Sequence, residues 1–344
     1  MQDVRYLMNG YLNMQYIITH SHGMRVWLIG GRGIGKTYGA LQYCLEQGKP
    51  FLYMRRTKDQ IENMTRDYFN PFKSLAPDWL INVEAMGKAG GRFYTGDPDD
   101  KDSQQTRGVM LALSGIAALR GFDMSDYDLG VFDEAIPEQH EPQRRGEGYA
   151  LLNALETINR NRELQGRRAF QMLLLANANT LNSRILAETG DSSIIQRMNA
   201  SGKTFYDSPA VTVWIFNDSP ISERKKDQAL YSNQRGRFAD MALRNEFGDD
   251  TSQIRAADLR QYRARAVLGD MVVWRSRQTA SRYHITRLDD APAGALNGVR
   301  TFTDDARGRK ECKAALPFLG IAYTQNRVTF SDYALKFSFE DFIY

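Results

Sequence analysis

The chain has 344 residues, 45 Lys and Arg against 41 Asp and Glu for a formal charge of +4, two cysteines, and 42% hydrophobic and 25% charged residues. That length suggests roughly two domains, and the composition supports a sizeable core, which excludes a disordered or collagen-like chain. Cys44 and Cys312 are too few and too far apart for a disulfide scaffold or a zinc knuckle, which predicts a reducing compartment, the cytoplasm.

No stretch approaches the ~20 consecutive apolar residues of a membrane span. The polar, Tyr-rich start lacks the apolar centre of an export signal. A net charge of +4 leaves a nucleic-acid partner open, because phosphate binding depends on local Lys and Arg placement.

Along the first two thirds, short apolar runs alternate with amphipathic stretches, as in a parallel sheet flanked by helices. Buried strands are predicted at Arg25–Ile29, Pro50–Met54, Val109–Leu113, Leu129–Phe132, Gln171–Leu175 and Ala210–Phe216, with a helix at Tyr38–Gln47. The acidic segment Gly96–Arg107 reads as a surface loop. A turn at Asn217-Asp218-Ser219-Pro220 closes this part, and polar helices from Ser222 to about Phe247 read as a linker. Arg-dotted β segments follow at Tyr262–Leu268, Met271–Arg275 and Arg282–Arg287, with a helix near Phe330–Phe342. The expected domains are therefore 1–217, a linker at 218–250, and a small α+β domain at 251–344.

Gly30-Gly31-Arg32-Gly33-Ile34-Gly35-Lys36-Thr37 matches G-x-x-x-x-G-K-[ST] at every fixed position, between a predicted strand and a predicted helix that opens near Tyr38. In such a loop the glycines let backbone N–H groups turn inward around a phosphate at a helix N-terminus. Lys36 then reaches the β- and γ-phosphates, and the Thr37 hydroxyl binds Mg²⁺. The partner carboxylates stand 97 residues after Lys36, in Leu129-Gly130-Val131-Phe132-Asp133-Glu134. Asp133 at the strand end suits the Mg²⁺ shell, and Glu134 suits polarising an attacking water.

Asn177, at the tip of the following strand, is placed to bond the γ-phosphate or its water, the favoured reading over an Asx turn that merely ends the strand. A hydrolase of this kind also needs a cation on the departing phosphoryl oxygens, for which Arg160, Arg162 and Arg120 are the candidates. No histidine or cysteine spacing reads as a metal site, His20 and His22 included.

Together the phosphate loop, Tyr53-Met54-Arg55-Arg56-Thr57, Ala118-Leu119-Arg120-Gly121 and Val131-Phe132-Asp133-Glu134 resemble the ATPase domain of viral large terminases. The likeness is nearer to the packaging ATPases of small protein-primed tailed phages of the phi-29 type. It extends to Asn159-Arg160-Asn161-Arg162-Glu163, Asn177-Ala178 and Ser222-Glu223-Arg224-Lys225.

The resemblance implies a P-loop NTPase of the ASCE class, with a mostly parallel central sheet, joined to an RNase H-like C-terminal domain. It implies an ATP-driven motor that moves double-stranded DNA through the portal of an empty capsid. Such a motor is a homo-oligomeric ring of five, with ATP and Mg²⁺ as cofactors and in some cases a structural packaging RNA. It also implies that Arg160 reaches into a neighbouring subunit's site, that Arg120 serves the subunit interface, and that Arg32 matches the arginine terminases carry in the loop.

The segment Tyr262–Leu268 has no acid where a two-metal nuclease would place its first ligand, which predicts a vestigial, non-cutting domain. Rival readings are a terminase with a working nuclease and a nucleotide-switched assembly module. For DNA contact the candidates are Arg55, Arg56, Lys58, Arg144, Arg145 and Arg224-Lys225-Lys226. The expected setting is the host cytoplasm, with transient docking on the prohead and no membrane.

Overall fold

The computed structural model describes all residues except 1–2, 67–68, 88–89, 120–123, 139–140, 178–180, 182, 226–252 and 280. Two compact units make up the chain, one of Met1–Ile185 with Ile195–Gly248 and one of Leu186–Ile194 with Asp249–Tyr344.

The strands of the first unit are β1 (Arg25–Gly30), β2 (Phe51–Arg55), β3 (Asn82–Met86), β4 (Gly90–Thr95), β5 (Gln105–Ala112), β6 (Leu129–Phe132), β7 (Gln171–Ala176), β8 (Phe205–Asp207) and β9 (Val211–Phe216). They form one sheet in the order β3-β4-β5-β2-β6-β7-β1-β9-β8. All six predicted strands are present, and they are the contiguous parallel centre β5-β2-β6-β7-β1-β9. Every residue of β7 and β9 is buried, as expected for strands covered on both faces.

The pairs β3–β4, β4–β5 and β8–β9 are antiparallel additions at the two edges, which the sequence reading did not anticipate. β3 has only a short, weak alternation, Val83 and Ala85 between Asn82, Glu84 and Met86, and is half-buried to exposed, so it lacks the unbroken apolar run of the central strands. Part of the expected loop Gly96–Arg107 is likewise strand, since β5 begins at Gln105. Its polar first residues pair with Tyr94 and Thr95 of β4, so backbone pairing outweighs composition there.

The helices in chain order are α1 (Met14–Thr19), α2 (Lys36–Glu46), α3 (Lys58–Met64), α4 (Phe72–Leu75), α5 (Glu147–Asn159), α6 (Arg184–Glu188), α7 (Asp191–Ser201) and α8 (Pro220–Lys225). α2 buries Lys36, Ala40, Leu41, Cys44 and Leu45, a stripe at helical spacing that packs on the sheet. α8 occupies the start of the expected linker, and residues 226–250 of that linker lie outside the described residues.

In the second unit, β10 (Tyr262–Leu268), β11 (Met271–Ser276), β12 (Tyr283–Arg287), β13 (Thr301–Phe302) and β14 (Val328–Phe330) form a sheet ordered β13-β10-β11-β12-β14. Its helices are Ala306–Ala315, Phe318–Thr324 and Tyr333–Ile343. The core joins Leu268, Val273 and Ile285 to Leu319, Phe339 and Phe342. The last helix starts at Tyr333 rather than near Phe330, because Phe330 ends β14 and the Asp332 carboxylate caps the helix by accepting from the Ala334 N–H.

The strand order sets the chemistry of the first unit. β6, β7 and β1 are neighbours, so their C-terminal ends bring Asp133, Asn177 and the Gly30–Thr37 loop side by side. In an open parallel sheet this edge is where ligands bind.

Candidate nucleotide site

The loop after β1 turns through Gly33 (φ +72°) and Gly35 (φ +96°), left-handed conformations that favour glycine. Gly35 is the N-cap of α2 and supplies no side-chain cap, which leaves the first-turn N–H groups for another acceptor. Gly30 is needed for packing, since a Cβ there would collide with Ile34 Cδ1 and press on Phe216. Ile34 itself is fully buried and anchors the loop to the sheet. These features form a phosphate cradle at the N-terminus of an 11-residue helix.

Lys36 is 8% exposed and curls back over the loop. Its ammonium donates to the carbonyl oxygens of Gly30 and Gly31, both at 2.7 Å, and to Asn177 Oδ1 at 3.0 Å. Burial lowers its pKa from 10.5 to about 7; Asp133 opposes that shift, while Lys225 and Arg32 add to it. The site thus holds a desolvated cation with all its partners but one neutral, a setting completed by an anion.

Beside it, Thr37 Oγ1 donates to Asp133 Oδ1 at 2.9 Å. The other carboxylate oxygen, Oδ2, accepts from Tyr53 Oη at 3.0 Å and pairs with Arg55 Nη2 at 3.0 Å. Asp133 is buried, and its N–H bonds Met54 O at 3.0 Å, so the turn after β6 is fixed to β2. Glu134 follows in a left-handed conformation (φ +55°), with its carboxylate exposed and ion-paired to Arg55 Nη1. Burial opposes the charge on Arg55, but Tyr53, Asp133 and Glu134 outweigh it and hold its pKa above the ordinary value. Burial also pushes the Tyr53 hydroxyl well up, keeping it a neutral donor.

Lys36, Thr37, Asp133, Glu134 and Asn177 all line one cavity of about 930 Å³, together with Arg32, Gly33, Gly35 and Tyr38. Gly31 contributes its carbonyl to Lys36. Arg32 is ion-paired to Glu138 on the rim, and Tyr38 is half exposed. Thr37 and Asp133 present adjacent hard oxygens of the kind Mg²⁺ takes, so the residues present fit that ion.

Two sequence candidates, Arg160 and Arg162, stand elsewhere. Arg160 is exposed, at the C-terminal end of α5, with φ +45°. Arg162 is buried, and its guanidinium binds the carbonyls of Met124 (2.7 Å), Ser125 (3.0 Å) and Tyr127 (2.6 Å) and the Asp128 carboxylate (3.1 Å), so it staples the segment before β6. Arg120 lies outside the described residues.

The DNA-contact candidates divide in the same way. Arg55 is held by the two acids, and Arg56 is buried against Glu141, Glu147 and Pro142 O. Arg56 is turned inward and Arg55 is half-buried, because each guanidinium is held by two carboxylates. Lys58, Arg144, Arg145 and Arg224 are exposed, and Lys226 is outside the described residues.

The sequence reading missed the N-terminal contribution. Tyr6 bridges to Leu12, and Leu12 N–H donates to Ile34 O at 3.1 Å, which lays Leu7, Asn9 and Tyr11 along the cavity. The Tyr-rich start and Gly10, with φ +90°, were the available signal for a tight ribbon.

These features define a mixed α/β fold with a mostly parallel sheet and a charged, carboxylate-bearing pocket at its C-terminal edge. The podovirus DNA encapsidation protein family (Gp16) matches residues 8–262, and the chain belongs to that family of phage DNA-packaging proteins. Among solved structures, the Phi-28 gp11 DNA packaging motor is similar with a TM-score of 0.63 and 16% identity, over 97% of this chain and 98% of that one. The viral genome packaging motor assembly of bacteriophage Phi-29 is similar with a TM-score of 0.59 and 20% identity, over 97% and 99%. At these identities the likeness is one of fold. None of the curated protein sequences matches the chain.

Proposed function

We propose that the chain binds ATP with Mg²⁺ in the β1–α2 cavity and hydrolyses it to drive double-stranded DNA through a capsid portal. It acts as one subunit of a homo-oligomeric ring, a pentamer, docked on the prohead in the host cytoplasm and assisted in some settings by a packaging RNA. The observation that carries this reading is the convergence of Lys36, Thr37, Asp133 and Glu134 on one cavity at the sheet's C-terminal edge.

In the mechanism, N–H groups of the loop and of the first turn of α2 receive the phosphates. Lys36 exchanges its carbonyl partners for β- and γ-phosphate oxygens. Thr37 and Asp133 would hold Mg²⁺, which when bound would supply positive charge to the phosphoryl oxygens. Glu134 takes the proton of the attacking water, for which it must first leave Arg55. The Arg55 ion pair therefore keeps the base idle until the site is assembled. Asn177, bonded to Lys36, registers the lysine's movement and passes it to the end of β7.

Arg160 serves as the finger in a neighbouring subunit's site: it is exposed, and its positive φ is the kind of backbone strain that persists at functional positions. Arg162 is occupied as a staple. Of the basic residues, Lys58, Arg144, Arg145 and Arg224 are exposed and are the ones that would meet DNA phosphates without reading bases. The second unit is a vestigial nuclease domain, and its acids serve caps and ion pairs, as Asp305 caps its helix and Asp304 pairs Arg309.

The test is Glu134→Gln, which retains ATP binding and loses turnover, beside Arg160→Ala, which loses turnover as a pure ring and regains part of it in rings mixed with Glu134→Gln. Full turnover by Glu134→Gln removes that residue as the base, and independent failure of both variants in mixed rings removes the action in trans.

A further inference from the structure

Lys225, the last residue of α8, reaches the phosphate loop from outside it. Its ammonium donates to Arg32 O at 2.6 Å. It also stands over Gly33, where a Cβ would overlap Nζ and meet Cε at 3.3 Å. Gly33 turns with a φ of +72°, and the near overlap measures how closely the end of this lysine from another element approaches the loop.

The placement is built. Pro220 and Ile221 pack on Gly10, Arg224 Nη1 donates to Asn9 O at 3.1 Å, and Tyr6 Oη donates to Asp218 O at 3.2 Å. The N-terminal ribbon is tied in turn to the loop through Leu12 N–H and Ile34 O. α8, the ribbon and the loop thus form one packed assembly within the first unit, with Lys225 at its loop-facing end.

An ammonium carries three donors, and Arg32 O is the one acceptor bonded to it among the described residues. Burial lowers the Lys225 pKa, and its charge adds to the depression of Lys36, so the two ammonium groups share one electrostatic volume with Arg32. Three cations, Lys36, Lys225 and Arg32, surround the glycine loop against two carboxylates, Glu138 paired to Arg32 on the rim and Asp133 facing Lys36, so the loop keeps an excess of positive charge. A neutral carbonyl is a weaker partner for the half-buried Lys225 ammonium than a phosphate oxygen, which forms a bond between two ions.

We propose that Lys225 is a second phosphate-binding lysine of the nucleotide site, which exchanges Arg32 O for an oxygen of the terminal phosphate of a nucleoside triphosphate. It would act in cis and complement the finger supplied by another subunit. Because it ends α8, it also gives that helix a position that depends on the bound phosphate, distinct from Lys36, whose element begins in the loop itself. This inference rests on the nucleotide reading above.

The experiment is titration of the full-length protein with fluorescent ATP and ADP analogues, using wild type, Lys225→Ala, Lys225→Arg and, as a control, Lys36→Ala. Loss of one charge-assisted bond predicts that Lys225→Ala weakens ATP on the order of 10- to 100-fold. ADP should weaken by less than about threefold if the contact is to the terminal phosphate. Lys225→Arg should recover most of the ATP affinity, a rescue that a purely structural lysine would not require to be nucleotide-selective.

Tighter or unchanged ATP binding in Lys225→Ala overturns the proposal and makes the lysine a competitor that only latches the loop. Equal loss of ATP and ADP with no recovery in Lys225→Arg overturns it in favour of a structural role. If wild type binds neither nucleotide, the nucleotide reading itself fails; a Lys36→Ala loss beside a normal Lys225→Ala refutes only the role of Lys225.

Discussion

Replacing Lys36 by Met tests the electrostatics of the pocket in the absence of any nucleotide. The lysine's pKa falls from 10.5 to about 7 because the side chain is buried with the single carboxylate of Asp133 to oppose the cost. A depression of that size corresponds to ~5 kcal/mol against folding when the group is charged in both states. The unfolded chain binds the extra proton between about pH 7 and pH 10.5, so wild-type stability rises with pH across that window. The penalty is complete below the folded pKa and gone above the unfolded one.

Lys36→Met removes this dependence but also deprives Gly30 O, Gly31 O and Asn177 Oδ1 of a donor, a loss that does not change with pH. Urea unfolding of both proteins at about pH 7 and about pH 9 separates the two effects: wild type should gain ~2 kcal/mol relative to the variant over that interval. The same lysine is recharged when phosphate binds, so ATP binding near neutral pH should take up a proton. Calorimetry in buffers of different ionisation enthalpy reads that uptake directly. A stability gap that is flat in pH, with no proton uptake, would refute the account of Lys36.

Other outcomes follow from the same geometry. Arg55→Ala leaves the buried Asp133 without its guanidinium and should destabilise the first unit by ~3 kcal/mol in urea melts, while Arg55→Lys recovers part of that. Arg162→Ala strips three carbonyls and Asp128 of a donor and should cost ~2 to 4 kcal/mol, with ATP turnover per folded molecule retained. Arg160→Ala should behave oppositely, leaving the melting temperature within about 2 °C of wild type and removing turnover, because an exposed side chain carries little stability. Incubating the protein with supercoiled plasmid and Mn²⁺ should leave the plasmid intact; nicked product would restore a cutting role to the second unit.

The parallel centre of the sheet was legible because buried strands write themselves as unbroken apolar runs, as in Gln171–Ala176 and Val211–Phe216. The edge strands were not, since β3 shows only a short, weak alternation and β8 is three residues long, and both are completed by backbone pairing with β4 and β9. In the site, residues named by local motif fell together: the loop, Asp133, Glu134 and Asn177 line one cavity. Long-range charge pairing was the part that sequence concealed. Arg55, Arg56, Arg162 and Lys225 look alike as basic residues near turns, yet the first three are committed to acids and carbonyls of their own unit and the fourth to the phosphate loop. Which arginine remains available for a neighbour or for DNA is decided by burial, and no local spacing encodes that.

The central claim is that nucleotide turnover at this cavity moves DNA, and the most direct measurement is ATP-dependent protection of double-stranded DNA from nuclease by purified portal-bearing proheads. Wild-type protein with ATP should protect genome-length DNA, while Glu134→Gln, or wild type with a non-hydrolysable analogue, should protect none. Protection that proceeds with Glu134→Gln or without ATP would contradict the account.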